Sequence, residues 1–281
     1  MLRISDTRLD YLLTEDVPYF DLTTFVLDIG KTEGVMEYYT REDCLLCGTE
    51  EVIRIMKKLD LEVESAKMSG TFLSAGESFL RVKGKAENLH NAWKVCLNLF
   101  DHCSAVATKT EKVVRAVKAE NPLCEVLVTR KSQPGIKDLL IKSVMTGGAI
   151  PHRLGLSETV LVFDQHLQFL GGKEGFLSNM PFFKSRCSEK KLFVESTKED
   201  AFDYAEAGVD GLQFDKLSPA ELAELVPKMR TLYPEITLIA AGGINPENAA
   251  SYASSGVDGL VTTALYTARP LDMSVRMERV E

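Results

Sequence analysis

The pentapeptide Gly208-Val-Asp-Gly-Leu212 returns as Gly256-Val-Asp-Gly-Leu260. Each copy follows an amphipathic stretch and runs into a short apolar one. It therefore reads as a left-handed glycine that stops a helix just before the chain enters a strand. The same rhythm fills most of the second half. Strands are expected at 125–129, 159–163, 192–196, 212–214 and 236–240, and helices at 108–118, 137–145, up to 206, and at 218–232. Such alternation means parallel strands joined by helical crossovers, and its near-constant period favours a (β/α) barrel, complete or open, over an open doubly wound sheet.

The first hundred residues have another character. Strands at 34–39, 61–66 and 79–83 carry charged and aromatic side chains that suit an antiparallel sheet with one wet face, with helices at 49–59 and 87–100 packed on it. The expected organisation is an N-terminal α+β sandwich domain over 1–103 and a barrel-like α/β domain over 104–264, with 265–281 returning to the first. No Pro/Gly linker divides them, so the boundary is expected at a helix end near 101–104.

Bulk properties narrow the function classes. With 281 residues, 45% of them hydrophobic, the chain can bury one large core or two smaller ones. A net charge of -8 without any long Lys/Arg run argues against a nucleic-acid binder. No apolar run approaches the roughly 20 residues of a membrane span, and the N-terminus lacks a signal-peptide pattern, so a cytoplasmic setting is expected. Six cysteines, at 44, 47, 96, 103, 124 and 187, are too sparse for a disulfide framework. The single CxxC, Cys44-Leu-Leu-Cys47, has no second ligand pair and reads as packed thiols, and His102-Cys103 reads as helix-end packing.

Chemistry concentrates between 129 and 153. Arg130 and Lys131 follow the β-branched run at 126–129, and His152 and Arg153 follow Gly147-Gly148, so both pairs sit on loops where a regular element has ended. Guanidinium forks and an ammonium point charge suit carboxylates and phosphates. Four such groups in an acidic chain mark either a solvated basic surface or a trap for a polyanionic small molecule. Further on, the strand at 236–240 meets Gly242-Gly243, where backbone N–H groups can approach an oxyanion. Asn245 is expected as N-cap and Pro246 as the first helical residue of the next helix. Glu195 and Asp215 fall at or near the ends of barrel strands, the face that carries chemistry in such folds. They can hold Mg²⁺, hydrogen-bond sugar hydroxyls, or simply pair with Lys131 or Lys216. Lys94, judged alone, is a solvated helix cation.

Together these pieces resemble the quinolinate phosphoribosyltransferase family, nearly end to end. The resemblance runs through Glu15-Asp16, Asp21-Leu-Thr-Thr24, Leu97-Asn98, Ser104-Ala-Val-Ala-Thr108, Thr129-Arg-Lys-Ser-Gln-Pro-Gly135, Gly147-Gly148, His152-Arg-Leu-Gly-Leu156, Val194-Glu195, Phe214-Asp215 and Gly242-Gly243-Ile244. It is strongest toward the ModD-type pyrophosphorylases, the branch associated with molybdenum-transport operons.

The resemblance implies an N-terminal sandwich with the open barrel of the type II phosphoribosyltransferases. It also implies a homodimer whose sites join one subunit's barrel to its neighbour's sandwich, and Mg²⁺ as cofactor. Arg130, Lys131, His152 and Arg153 would bind a small heteroaromatic acid and phosphoribosyl pyrophosphate. Glu195 and Asp215 would attend the ribose and the metal, and Gly242-Gly243 the 5′-phosphate.

Departures from the family pattern qualify the acceptor. The arginine expected from the neighbouring subunit is Lys94, which lacks the fork. A lysine expected ten residues after the His-Arg loop is Phe163, and an Asn is Gln165. The second phosphate-loop glycine is replaced in Thr262-Thr263-Ala264. Ribosyl-phosphate chemistry is thus expected with weak use of quinolinate, unless Lys137 or Lys142 restores the lost charge. Two rival readings stand beside it: a barrel aldolase or isomerase using Lys131 as a Schiff-base amine, and a non-catalytic anion-binding protein serving molybdate uptake.

Overall fold

The computed structural model describes residues 2–280, so the outermost residues of the expected first domain and of its returning tail, Met1 and Glu281, lie outside the described residues. The chain divides into two compact units. One comprises the chain up to Glu111, Gln133–Gly147 and everything from Tyr266 onward; the other comprises Lys112–Ser132 and Gly148–Leu265.

The first unit is built on a four-stranded antiparallel sheet in the spatial order Ser274–Arg279, Glu33–Tyr39, Ser78–Lys85, Glu62–Ala66. Met36 faces Met277 on one side and Val82 on the other. The apolar face of this sheet and the helix Thr49–Lys58 enclose one core, with Tyr38, Val52, Ile55 and Met56 fully buried. Rings of Tyr38, Phe79 and Phe100 meet edge-on, with centroids 5.6 Å apart for Tyr38–Phe100 and 4.9 Å for Phe79–Phe100.

Two sequence expectations fail here for local reasons. The helices expected at 87–100 and 108–118 are one helix, Ala86–Glu120, so no element ends at 101–104 and His102-Cys103 lies mid-helix. The Ser104 hydroxyl is buried. It accepts the backbone N–H of Cys47 at 3.0 Å, while the hydroxyls of Thr108 and Thr110 bond back to the carbonyls four residues before them, so none of the three caps a new helix. The helix Lys137–Thr146, expected among the barrel helices, belongs to the first unit. Its Lys142 is buried and its ammonium is held by the carboxylates of Glu50, at 2.7 Å, and Glu51. Lys142 is therefore spent inside the fold and cannot supply the charge missing at Phe163.

The second unit carries seven parallel strands in the order Ile150–Pro151, Glu125–Val128, Gly259–Thr262, Thr237–Ala241, Gly211–Asp215, Leu192–Ser196, Val160–Val162. The end strands do not pair with each other, so the barrel is open. Leu127, Leu161, Phe193, Ile239, Ala241 and Val261 form its inner apolar cluster. Outside, the helix Pro219–Leu232 buries Leu222, Leu225, Val226 and Met229, the i, i+3, i+4, i+7 stripe of a helix with one covered face.

The repeated pentapeptide now has a mechanical meaning. Gly208 and Gly256 adopt φ 90° and 87°, ending their helices. The aspartate that follows each clamps strand starts. The Asp210 carboxylate accepts the Leu192 N–H at 2.7 Å while its carbonyl accepts that of Thr237. The Asp258 carboxylate accepts the Leu238 N–H at 2.6 Å while its carbonyl accepts that of Glu125. Each copy thus ties the two parallel strands that flank its own, at the end opposite Glu195 and Asp215.

Candidate active site

At the ends of the strands the second unit gathers most of the anticipated residues. Past Glu125–Val128 the hydroxyl of Thr129 accepts the Lys131 N–H at 3.0 Å, and this turn projects Arg130 and Lys131 beyond the sheet, both exposed. On the adjoining edge the His152 N–H bonds to the Val128 carbonyl at 3.0 Å, which seats half-buried His152 and Arg153 beside them. Burial lowers the pKa of Arg153, and the charge of Arg130 lowers it further. Burial and then Arg153 lower that of His152. His152 is therefore neutral near pH 7, and two guanidiniums repel one another across a space that a dianion would stabilise.

Phe163 closes this side with an apolar wall. It packs on the inner barrel cluster, its ring lies under the Arg153 guanidinium at 5.7 Å, and it stacks with the His166 ring at 5.8 Å. Its N–H donates to His166 Nδ1 at 3.0 Å, fixing that imidazole in place.

Across the sheet stand the acids. Asp215 is the last residue of its strand, and Glu195 is the penultimate residue of the strand beside it. Burial raises the pKa of Glu195, the charge of Asp215 raises it further, and Lys131 and Lys216 oppose both, so these four groups share one electrostatic neighbourhood. Gln213, buried one position over, donates to Glu195 Oε1 at 3.4 Å. Sequence reasoning passed over Gln213; a polar residue inside an otherwise apolar strand was the available signal.

The Gly242-Gly243 loop follows the strand Thr237–Ala241. Both glycines have positive φ, and a Cβ on Gly242 would lie 2.6 Å from Asp215 Oδ1. A buried Thr262 hydroxyl donates to the Ile244 carbonyl at 2.6 Å, so Thr262 props the loop from beneath, with half-buried Thr263 next to it. The helix expected from Pro246 begins instead at Ala249 and lasts five residues. Asn245 caps only a turn, its Oδ1 accepting the N–H groups of Glu247 and Asn248 at 3.0 and 3.1 Å, because the short helix gives it no longer element to start. Anion capacity there rests on glycine backbone rather than on a macrodipole.

Lys94 belongs to the first unit, exposed, with its ammonium over the Trp93 ring at 4.7 Å. That unit also holds a cavity of about 600 Å³ lined in part by Glu15, Asp16, Asn98 and His102, and none of the anticipated anion-binding residues reaches it. Among the described residues no three His, Cys, Asp or Glu side chains cluster as a ready metal cage, and no helix is long and apolar enough to cross a membrane.

An open parallel barrel with opposed cations and acids at its strand ends, together with an antiparallel sheet unit, defines a known class. The chain belongs to the quinolinate phosphoribosyl transferase family: the family's N-terminal domain matches residues 21–104 and its C-terminal domain residues 106–276. Among its relatives, a putative pyrophosphorylase ModD of Rhodobacter capsulatus is 36% identical over 91% of this chain and 98% of its own. A probable nicotinate-nucleotide pyrophosphorylase [carboxylating] of Methanothermobacter thermautotrophicus is 29% identical over 95% and 96%. The crystal structure of NadC from Streptococcus pyogenes superimposes with a TM-score of 0.89 over the full length of both chains at 22% identity, a likeness of fold.

Proposed function

We propose that this protein transfers phosphoribose from phosphoribosyl pyrophosphate to a heteroaromatic acid and releases pyrophosphate. The observation that carries the reading is the opposition, at one end of the half-barrel, of Arg130, Lys131, His152 and Arg153 to Glu195 and Asp215 with the Gly242-Gly243 loop alongside. Three cations, Arg130, Lys131 and Arg153, with the neutral imidazole of His152 suit a carboxylate and a diphosphate, and paired acids face a ribose that becomes positively charged as its bond to pyrophosphate breaks. Catalysis is then largely positioning and electrostatics. Arg130 and Arg153 orient the anionic groups, Glu195 and Asp215 stabilise the oxocarbenium-like ribose, and Gln213 holds Glu195 in aim. With quinolinate as acceptor, decarboxylation at the ring would follow.

Mg²⁺ fits this donor set. Glu195, whose ionisation is opposed first by burial and then by the charge of Asp215, gains from a divalent cation beside it, and a magnesium site completed by substrate oxygens needs no closed protein cage. Glu195 and Asp215 would hold it, and the ion would neutralise the departing pyrophosphate.

A homodimer completes the reading. The segment 19–27 exposes Tyr19, Phe20, Leu22, Phe25, Val26 and Leu27, more contiguous apolar surface than a monomer usually leaves wet. Lys94, on the helix that also carries Asn98 and His102 of the first-unit cavity, would reach a neighbour's acceptor. Free, largely buried thiols suit a cytoplasmic setting.

The deciding experiment screens pyridine carboxylates and related bases with phosphoribosyl pyrophosphate and Mg²⁺, scored by pyrophosphate release; silence across the panel removes the transferase reading. Mixing Lys94→Ala with Arg130→Ala subunits tests the shared site, since partial rescue requires one intact composite site per mixed dimer.

A further inference from the structure

Lys216 stands in a conformation its residue type does not favour. Among the described residues only three non-glycine residues have positive φ, Asp28, Asp60 and Lys216. Aspartate tolerates the left-handed region because its short side chain bonds locally; lysine, at φ 63°, has no such compensation. The surroundings impose this conformation. The Lys216 N–H donates to the Ala241 carbonyl at 2.8 Å, one step past the last strand pair, Asp215 with Ala241. The glycine loop presses on it from the other side, where a Cβ on Gly242 would lie 2.7 Å from Lys216 Cγ and 2.8 Å from its N.

Strained residues of this kind cluster where a site needs a side chain in one place. What the strain secures here is an ammonium. The Lys216 side chain is 80% exposed, and its ion pair with Asp215 Oδ2 is a loose one, at 3.5 Å. A surface pair of that length contributes little to the fold. Yet the stem lies against the glycine loop, beside Asp215, and its charge acts on Glu195 too, two acids whose charge would otherwise repel an approaching phosphate. Asparagine or glycine would fit the backbone better and would leave the loop without a cation.

We infer that Lys216 binds the phosphate of the donor at the Gly242-Gly243 loop, as a substrate-positioning residue that contacts the 5′-phosphomonoester. The inference rests on the transferase reading above. Its test is isothermal titration of the full-length protein with ribose 5-phosphate and, separately, with inorganic pyrophosphate, for wild type, Lys216→Gly and Lys216→Arg. The glycine variant should bind ribose 5-phosphate about 10-fold or more weakly, the size of one lost charge-assisted contact. It should also show a flatter salt dependence, yet melt at a higher temperature because the strain is gone. The arginine variant should bind within about threefold of wild type.

Glycine-variant affinity equal to wild type would overturn the assignment while leaving the transferase reading intact. A loss confined to pyrophosphate would move Lys216 to the leaving group and overturn it as well. Wild-type protein that binds neither ribose 5-phosphate nor phosphoribosyl pyrophosphate would remove the transferase reading itself, and this inference with it.

Discussion

An ionic cluster in the first unit and another at the strand ends of the second are finished differently. In the first, Lys142 is enclosed by Glu50 and Glu51. Glu50 also accepts the hydroxyl of Ser69 at 2.6 Å and its N–H at 3.2 Å, so the charges are answered within the chain. Burial alone would lower the pKa of Lys142, but the bonds to the two glutamates outweigh it and raise it. In the second, Arg130 and Arg153 repel one another, and Glu195 and Asp215 do the same. A closed cluster holds a helix in place. An open one leaves like charges facing one another, and that difference separates the two clusters where composition cannot.

The strongest break in the comparison is to open the closed cluster. Lys142→Ala leaves Glu51 buried without its cation and should cost about 3–5 kcal/mol, read from the urea midpoint. Replacing the triad together, Lys142→Met with Glu50→Gln and Glu51→Leu, should recover most of that loss. A small effect of the single change would mean that water reaches the cluster.

Next comes the open cluster. Glu195→Gln and Asp215→Asn should each lower kcat by about 100- to 1,000-fold with little change in donor affinity, because their charge acts on the transition state. Stability should hold or rise in both, the opposite of Lys142→Ala. Near wild-type turnover in both variants would make these acids structural.

The acceptor wall sharpens the contrast within the site. An ammonium at position 163 would pair with a ring carboxylate, whereas Phe163 offers a face, a difference of about 2–4 kcal/mol for a dianionic ring. Quinolinate should be a poor acceptor beside less charged or larger heteroaromatic acids, and Phe163→Lys with Lys94→Arg should improve its use. Wild-type kcat/KM for quinolinate of about 10⁴ M⁻¹s⁻¹ or more would sink this.

The smallest effect concerns Asp101, a half-buried carboxyl pushed up to about 6, first by burial, though it accepts the Met273 N–H at 3.0 Å. A raised carboxyl pKa favours the folded state at low pH, where the group is protonated, and disfavours it as pH rises through 6. Asp101→Asn should therefore stabilise by about 1 kcal/mol at pH 7.5, after allowance for solvent screening, and by almost nothing near pH 4. Equal gains at both pH values would place the carboxyl in ordinary solvent.

Much of this was readable from residues alone. The two Gly-Val-Asp-Gly copies announced helix stops and strand starts, and their aspartates turned out to clamp the sheet as well. Arg130, Lys131, His152 and Arg153 were visible because basic residues after strand-like runs have few structural reasons to be there. What stayed hidden depends on partners distant in sequence. Nothing near Ser104 says that its hydroxyl will serve Cys47, so a continuous helix looked like two. Nothing near Lys142 says that Glu50 and Glu51 will claim its helix for the other unit. Lys216 read as a spare ion-pair partner, since a left-handed backbone angle leaves no mark when the residue is lysine.

The unclosed sheet has a further consequence, for how this chain tolerates its own kind at high concentration. Two strands, Ile150–Pro151 and Val160–Val162, each have a neighbour on one side only. Bare edges invite a foreign strand to add itself, the first step toward fibres. Here the invitation is brief: one edge is two residues long and ends in Pro151, which has no N–H to offer, and the other is three residues long. The sequence leaves the barrel open without leaving it adhesive.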